Sequence, residues 1–545
     1  MVQSIDTGGA RTGSSSNQLP HRQLVWTIIG LQVTLLLAAL DQTIVSTAMP
    51  KIIAELNGFD RYSWVTTAYL LTSTAILPVV GKLSDLHGRK WLLISSVIGF
   101  VLASTLCGLA GHFPGFPGDG MTQLIIFRGL QGIFGGGIMS LIFSAIGDLF
   151  PPVERGRYQG LFSAVWAFAS VVGPVLGGWI ADMFSWRWIF YVNVPVGVIA
   201  VAVLYCAFPR MALVPVKRPL DIKGLLTLVG WVVPLLLGLT WAPISGPSLP
   251  VVMSFVLAAS MFIAFIFAEA TAEEPMVPLW LFADPVVRIS CLSLLLIGCA
   301  MFGVILFAPL YFQAVLGVSA TSSGSELVPM LLMVTLGSAI SGQLISRLDK
   351  YKSLALSGLL VMAFGLYLMS RFDEHTPHAV AIGTMVIFGS GLGLLMPIYT
   401  LVVQNTVEQS MLGVATSATQ FCRSVGGTLG AAIFSSILIV RFKSHFDSHV
   451  PPGTPAAATA MFHNPLSVQH SAIPLSKALS GIVNAPLIQQ QLLNEVKHAF
   501  TWSLDAIFFS AAMALLLGFI INFRLKEVPL RKTQHSPFIA AEQQQ

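Results

Sequence analysis

Four polar residues stand inside long apolar runs where packing alone gives no reason for them: Asp41, Arg128, Gln131 and Arg423. An arginine at the centre of a membrane helix costs about 2.5–3.5 kcal/mol on the insertion scale, so each such group should face a wet cavity or a partner rather than lipid. Arg128, Gln131, Gly132, Gly135 and Met139 recur at helical spacing, which places a cation, an amide and small residues on one face. Asp41 is the only acid of its run and comes late in it, in the outer half of the membrane if that helix runs outward. A carboxyl in a cavity that opens to alternate sides changes protonation as its hydration and partners change, which is what a proton-driven process needs. Plainer readings stand beside this one. Asp41 would then be a helix-end carboxylate at the interface, and Arg128 a tie between helices through backbone carbonyls. Arg423 either pairs with an acid or binds an anionic group.

The elements that must hold these residues follow from composition. Only 10% of the 545 residues are charged, 55% are hydrophobic, and the mean hydropathy is +0.79. The apolar residues come in uninterrupted runs of about twenty, the length that crosses about 30 Å of hydrocarbon as a helix. Spans are expected near 25–48, 62–81, 91–111, 121–147, 158–181, 187–208, 224–243, 251–269, 289–311, 324–345, 354–370, 379–404, 414–440 and 500–523. The fold class is therefore all-α integral membrane protein with about fourteen transmembrane helices. A net charge of +5 comes without a basic arm or finger, so no nucleic acid is expected as partner. The five cysteines (Cys107, Cys206, Cys291, Cys299, Cys422) lie in apolar runs without a CxxC pair, which predicts free buried thiols and no metal. No HExxH, GxSxG or GxxxxGK[ST] segment is present, so neither an enzyme nor an ATP-driven pump is expected.

Lys and Arg divide roughly nineteen to eight between the two sides when the N-terminus is placed inside, which predicts two cytoplasmic termini. An internal repeat then organises the chain. Gly81, Leu83, Ile126, Phe127 and Gly132 return as Gly342, Leu344, Ile387, Phe388 and Gly393 at one offset of 261. Past the next loop the offset becomes 254, and Ser170, Val171 and Gly173 return as Ser424, Val425 and Gly427. Spans one to six thus correspond to nine to fourteen. The expected division is a disordered tail 1–24, a six-helix bundle 25–208, a linker with two extra helices 209–269, a second six-helix bundle 270–523, and a tail 524–545. Within the second bundle, 441–499 reads as a long external loop with an amphipathic helix near 485–497.

Between spans two and three lies GKLSDLHGRK, residues 81–90, a charged stretch in a chain that avoids charge. Gly88 permits a tight reversal there. A latch on the cytoplasmic side would use Gly81, Asp85, Gly88 and Arg89, with Asp148 as a second partner for Arg89, and would release as the two bundles rock apart. A solvated basic turn that only sets topology is the plainer reading. In the fifth span Trp166, Ser170, Gly173 and Gly177 recur at spacings of three and four, with glycines that admit a close neighbour, and Pro174 loosens the backbone ladder.

GKLSDLHGRK resembles the loop signature G-x-L-x-D-x-x-G-R-K of the major facilitator superfamily. LDQTIVSTAMPKI (40–52) and WVTTAYLLTSTA (64–75) look like the first two spans of its fourteen-helix drug:proton antiporters, the multidrug resistance exporters. FRGLQGIFGGG (127–137) is similar to the fourth-span pattern R-x-x-Q-G, with Phe134 where glycine often stands. GPVLGG (173–178) looks like the fifth-span antiporter motif G-x-x-x-G-P-x-x-G-G, with Ala169 in place of its first glycine. The resemblance implies two six-helix pseudo-repeats joined by two linking helices, alternating access, and proton-coupled export of amphipathic or cationic drugs. It implies a coupling role for Arg128, and coupling or cation binding for Asp41. It implies a leak seal at Gly173, Pro174, Gly177 and Gly178 where span five meets span ten. Trp166, Phe134, Met139, Tyr399, Gln404 and Phe421 are candidates for the cavity wall, since aromatic and Met-rich surfaces accept varied amphiphiles. No cofactor is expected beyond a proton gradient. The expected partners are protons, a small amphipathic substrate and the lipid bilayer of a cell membrane, with a bacterial inner membrane preferred and a fungal plasma or vacuolar membrane left open. A periplasmic adaptor with an outer-membrane channel is left open. A facilitator for one metabolite, peptide or siderophore, or a non-transporting sensor, would share these features.

Overall fold

The computed structural model of the chain describes residues 20–62, 64–113, 118–149, 152–209, 221–273, 275, 279–348, 351–407, 412–451, 454–455 and 485–527. Every regular element among them is helical. In chain order they are α1 (His21–Leu56), α2 (Trp64–His87), α3 (Arg89–Gly108), α4 (Gly120–Leu149), α5 (Pro152–Met183), α6 (Trp188–Tyr191) and α7 (Asn193–Ala207). Then come α8 (Ile222–Ser245), α9 (Leu249–Thr271), α10 (Pro285–Leu310), α11 (Ala320–Leu348), α12 (Lys352–Met369), α13 (His378–Thr406), α14 (Leu412–His449) and α15 (Ala485–Asn522). Among the described residues twelve helices are long and apolar enough to cross a membrane, with α6 and α7 together making one of them. The helices α2 and α5, of 24 and 32 residues, stand between these in the chain.

Local chemistry sets several boundaries. Asp284 caps α10 by accepting from the Val286 and Val287 amides, with Pro285 at the first helical position where its missing N–H costs nothing. Asp221 caps α8 through the Gly224 amide at 2.7 Å. Gly88, at φ 84°, reverses the chain between α2 and α3 in a conformation that side chains rarely adopt. Several of the expected boundaries shift, and α14 runs on to His449, into the stretch expected as an external loop. With 36 residues α1 is about 54 Å long at 1.5 Å per residue, well beyond the hydrocarbon thickness, so it continues past the expected span to Leu56. The separate amphipathic helix expected near 485–497 is instead the beginning of α15, because nothing breaks the helix before the apolar run that follows. Residues 456–484 of the expected external loop lie outside the described residues.

The repeat read from the sequence reappears as packing. In the first half α2 lies on α4, α3 on α4 and α7, and α1 on α5 and α7. In the second half α11 lies on α13, α12 on α13 and α15, and α10 on α14 and α15. The hairpin α8–α9 stands apart from both sets: α8 packs on α2 and α14, and Leu228, Val232 and Leu236 join Ala75 and Ala432 in a small core. Close packing in the first half depends on glycine at Gly132, where a Cβ would come within 2.4 Å of the Tyr69 carbonyl of α2. Its repeat partner Gly393 faces the Val334 carbonyl of α11 in the same way. The bundle has two ends, called here the Lys51 face, where α1 ends, and the Gly88 face, where α2 turns into α3.

Candidate functional site

The charged residues singled out in α1 and α4 meet in the core of the first half. Arg128 Nη1 donates to Asp41 Oδ2 at 2.7 Å and to Gln131 Oε1 at 2.7 Å. Gln131 Nε2 donates to Asp41 Oδ1 at 2.9 Å. The helical spacing of Arg128 and Gln131 on α4 is what lets both reach one carboxylate. Asp41 and Gln131 are fully buried and Arg128 is 1% exposed, so the group is closed to solvent. Arg128 also stacks on the Tyr69 ring, 4.4 Å from its centroid, and its Nε donates to the Val65 carbonyl at 3.3 Å. Removal of both charges from water is offset only by such dense pairing.

A fourth member was not anticipated. Asn193, fully buried at the start of α7, donates from Nδ2 to Asp41 Oδ1 at 2.8 Å and to Ser104 Oγ at 2.9 Å. Ser104 in turn donates to the Phe190 carbonyl at 2.8 Å, where the short helix α6 gives way to α7. The signal was present, since an asparagine within the apolar stretch FYVNVPVG demands a partner for its amide. Asp41 therefore receives three donors, Arg128, Gln131 and Asn193, and offers nothing in return. An ionised carboxylate is an acceptor only, so this geometry is that of the deprotonated form. A proton on Asp41 would remove one acceptor and release a donor, Arg128 being the charged one.

Arg423 lies apart from this group. It projects from α14 with Nη2 donating to Gln420 Oε1 at 2.5 Å and Nη1 3.3 Å from the Met396 sulfur of α13. Its carbonyl closes on Gly298 of α10, one of several close approaches between α10 and α14.

Of the fifth-span glycines expected to seal against span ten, Gly173 and Gly177 face α1 of their own half, and Gly178 lies where the two halves meet. A Cβ on Gly173 would strike Thr43 Oγ1 and one on Gly177 the Ile44 carbonyl, both on α1. Gly178 faces the Ala320 carbonyl and Thr321 of α11, and Gly324 of α11 faces the Pro174 carbonyl, so α5 and α11 touch backbone to backbone. Beside them, Asp182 at the end of α5 accepts from the Thr321 amide at 2.7 Å and its hydroxyl at 2.5 Å, capping α11 from the opposite half. Lys51 Nζ holds the same carboxylate at 2.5 Å. Tyr62 donates to the Leu306 carbonyl and Gln313 to the Thr47 carbonyl on the same face. The Lys51 face is thus closed by contacts between the halves.

At the Gly88 face, the side chains of Asp85 and Asp148 and the surroundings of Gly81 lie outside the described residues. Arg89 is half-buried. Lys90 reaches the Tyr205 and Phe208 carbonyls at 2.7 Å each and so caps the end of α7.

The candidate cavity wall divides. Phe134 turns to α3, its ring filling the space over Gly99. Tyr399 is fully buried and donates to Asn522 of α15 at 3.0 Å. Both serve packing within their own halves, since each points to a helix of its own bundle. Met139 and Trp166 pack against the core of the first half, and Trp166 against the other large core as well. Phe421 meets α2 and α8 in a small apolar cleft. Gln404 is half-buried on α13.

Similarity to known proteins gives this geometry its context. Residues 32–431 match the family model described as Major Facilitator Superfamily. The chain is 37% identical over 516 residues to the multidrug transporter protein MdtP of Bacillus subtilis (strain 168), covering 92% of this chain and 93% of that one. It is 36% identical over 412 residues to multidrug resistance protein 3 of the same organism, covering 75% and 78%. In fold it is similar to a bacterial homologue of the human lysosomal transporter Spinster in an inward-facing, occupied conformation, with a TM-score of 0.63, 16% identity, and coverage of 94% and 99%. With its helical repeat, its crossing of the membrane many times and a match over most of its length, the chain belongs to the Major Facilitator Superfamily of transporters.

Proposed function

We propose that the protein exports amphipathic or cationic drugs and toxic compounds in exchange for protons moving inward, by alternating access of a cavity between its two halves. The observation that supports this most is the buried set around Asp41: a carboxylate that receives three donors, one of them Arg128, in a membrane protein with multidrug transporters among its relatives. In this reading the Lys51 face is external and the Gly88 face cytoplasmic, both termini lie in the cytoplasm, and the membrane is a bacterial cell membrane. The contacts of α5 with α11 and of Asp182 with Lys51 and Thr321 are then the external gate, closed in this conformation. The turn with Asp85, Arg89 and Asp148 is its cytoplasmic counterpart.

The chemistry runs through Asp41. In an outward-open state a proton from outside binds the Asp41 carboxylate, and Arg128 loses its counter-ion to the neutral acid. Closure of the outer face and opening of the inner one lets the proton leave, and Arg128 pairs with Asp41 again as found here. One charge moved through 100 mV supplies about 2.3 kcal/mol per turnover before any pH gradient is added. The test is reconstitution in liposomes with an imposed pH gradient, following a fluorescent lipophilic cation together with internal pH. Wild type should exchange dye for protons, and Asp41→Asn should abolish the exchange while the protein inserts and folds. Dye movement by the variant equal to wild type would overturn the role of Asp41.

A further inference from the structure

On the rim of the second half, away from the Asp41 group, the end of α12, α14 and α15 border an open cleft of about 510 Å³. Its polar lining is Ser370, Arg371, Arg441, Asp505 and Ser510, and Phe509 forms part of its apolar wall. The two guanidiniums are held by aromatic rings: Arg371 lies 5.1 Å from the Tyr367 ring centroid and donates to its hydroxyl at 3.1 Å, while Arg441 lies 5.2 Å from the ring centroid of Trp502. Among the described residues neither arginine has a carboxylate within ion-pair distance, although Asp505 lines the same space. Two cations and Asp505 thus line one open volume, with Asp373 close enough to act on Asp505, and both guanidiniums keep donors free for a ligand to meet.

The surroundings indicate what that ligand is. From the cavity two apolar stripes run toward the Gly88 face on the surface of the bundle. Phe509, Met513, Leu517 and Ile520 are exposed along α15, and Tyr367, Phe364 and Leu360 along α12. Their spacing of three and four keeps each stripe on one helix face, in contact with the hydrocarbon of a membrane-spanning chain. Above them, Trp502 and the two arginines have the character of the interfacial belt. A polar, cationic pocket at the head of two apolar stripes has the shape of a bound lipid.

We propose that this cavity is a phospholipid site. The phosphodiester seats between Arg371 and Arg441, where charge-assisted hydrogen bonds to a phosphate oxygen are strong. The headgroup donates to Asp505, through the ammonium of phosphatidylethanolamine or a hydroxyl of phosphatidylglycerol. Its acyl chains follow the α12 and α15 stripes. Phosphatidylcholine carries the same phosphodiester and no N–H or O–H in its headgroup, so it satisfies the arginines and leaves Asp505 without a donor.

The test is native mass spectrometry of the delipidated full-length protein, titrated separately with phosphatidylethanolamine, phosphatidylglycerol and phosphatidylcholine. Wild type should retain the first two about fivefold better than the third. The Arg371→Gln/Arg441→Gln double variant should lose that binding, and Asp505→Ala, which removes the acceptor, should bind all three alike. The proposal is overturned if wild type shows no preference, if the double variant keeps it, or if excess inorganic phosphate displaces the bound lipid, which would mark a site for free phosphate. A second measurement needs no variant: phosphatidylethanolamine or phosphatidylglycerol should raise the melting temperature of the wild-type protein in detergent and phosphatidylcholine should not. Equal shifts with all three lipids would sink the headgroup assignment.

Discussion

Each half of the molecule ties the same three helices of its repeat with a buried polar group, and the two groups differ in charge. In the first half, α1, α4 and α7 meet through Asp41, Arg128, Gln131 and Asn193. In the second, α10, α13 and α15 meet through Ser293, Tyr399 and Asn522: Tyr399 donates to Asn522 Oδ1 at 3.0 Å, and Asn522 Nδ2 to Ser293 Oγ at 2.7 Å. At the repeat offset of 261, Arg128 and Gln131 correspond to Gly389 and Leu392, and α10 carries no acid at all. The second half therefore shows that three such helices can be joined in a buried, satisfied way without charge. Packing does not require the ion pair of the first half, and a buried pair is weak evidence for stability in any case. What the charged group has that the neutral one lacks is a carboxylate facing a guanidinium.

The comparison breaks most sharply at Arg128. Arg128→Met leaves Asp41 buried without its cation, which should cost about 3–5 kcal/mol. Thermal unfolding in detergent should show this as a large drop, and the double variant Asp41→Asn/Arg128→Met should recover most of it. A single variant that melts with wild type would mean that the pair carries no such tension. Next in size is the contact between the halves. Asp182→Ala removes the cap on Thr321 and the Lys51 pair, charge-assisted bonds of about 1.5–3 kcal/mol each. Spin labels at Phe184 and Ser322, exposed residues on either side of this face, should then report a longer distance component. An unchanged distribution would show that the glycine contacts of α5 with α11 close the face by themselves.

Much of the charged group was legible in the sequence and little of the neutral one, for a physical reason. Asp41 and Arg128 stand out because charge in an apolar run has no ordinary explanation. Gln131 followed from its spacing to Arg128. Tyr399, by contrast, reads as an aromatic with a polar handle that suits a cavity wall equally well, and only the position of Asn522 on α15 decides that its hydroxyl points inward. For Phe134 too, spacing puts it on a helix, but the bare surface at Gly99 of α3 determines where its ring goes. The small residues of α5 announced a close neighbour, since only glycine lets two backbones touch, but that α11 would be one came from the family resemblance, and Gly173 and Gly177 face α1 instead. Asp182 was not, because its partner Thr321 is 139 residues away and belongs to the other half.

The neutral group sets the scale for an ordinary buried hydrogen bond. Tyr399→Phe deletes the donor to Asn522 and should cost about 1 kcal/mol with dye export retained. A loss of export comparable to that of Asp41→Asn, at equal protein abundance, would erase the distinction between the two groups.

The smallest effect belongs to the same carboxylate–guanidinium chemistry moved into water. Asp119, at the entrance of α4, accepts from Arg61 Nη2 at 2.5 Å and Nη1 at 3.1 Å, and from the amide and hydroxyl of Thr122. The hydrogen bonds from Arg61 hold its carboxyl well below the usual carboxylate range, with those from Thr122 adding to the effect against partial desolvation. A depressed acid contributes stability above its unfolded pKa of about 3.9 and loses it as pH falls through the lower folded value. The side chain of Asp119 is half exposed, however, so water and salt screen most of the pairing and the contribution should stay under about 1 kcal/mol. The difference in melting temperature between wild type and Arg61→Gln should be small at neutral pH, begin to shrink below about pH 4 and fade only as pH approaches the lower folded value. A difference as large as that of Arg128→Met would mean that burial is not what separates the two ion pairs. In that case the charge of the Asp41 group could no longer be assigned to its enclosure among α1, α4 and α7.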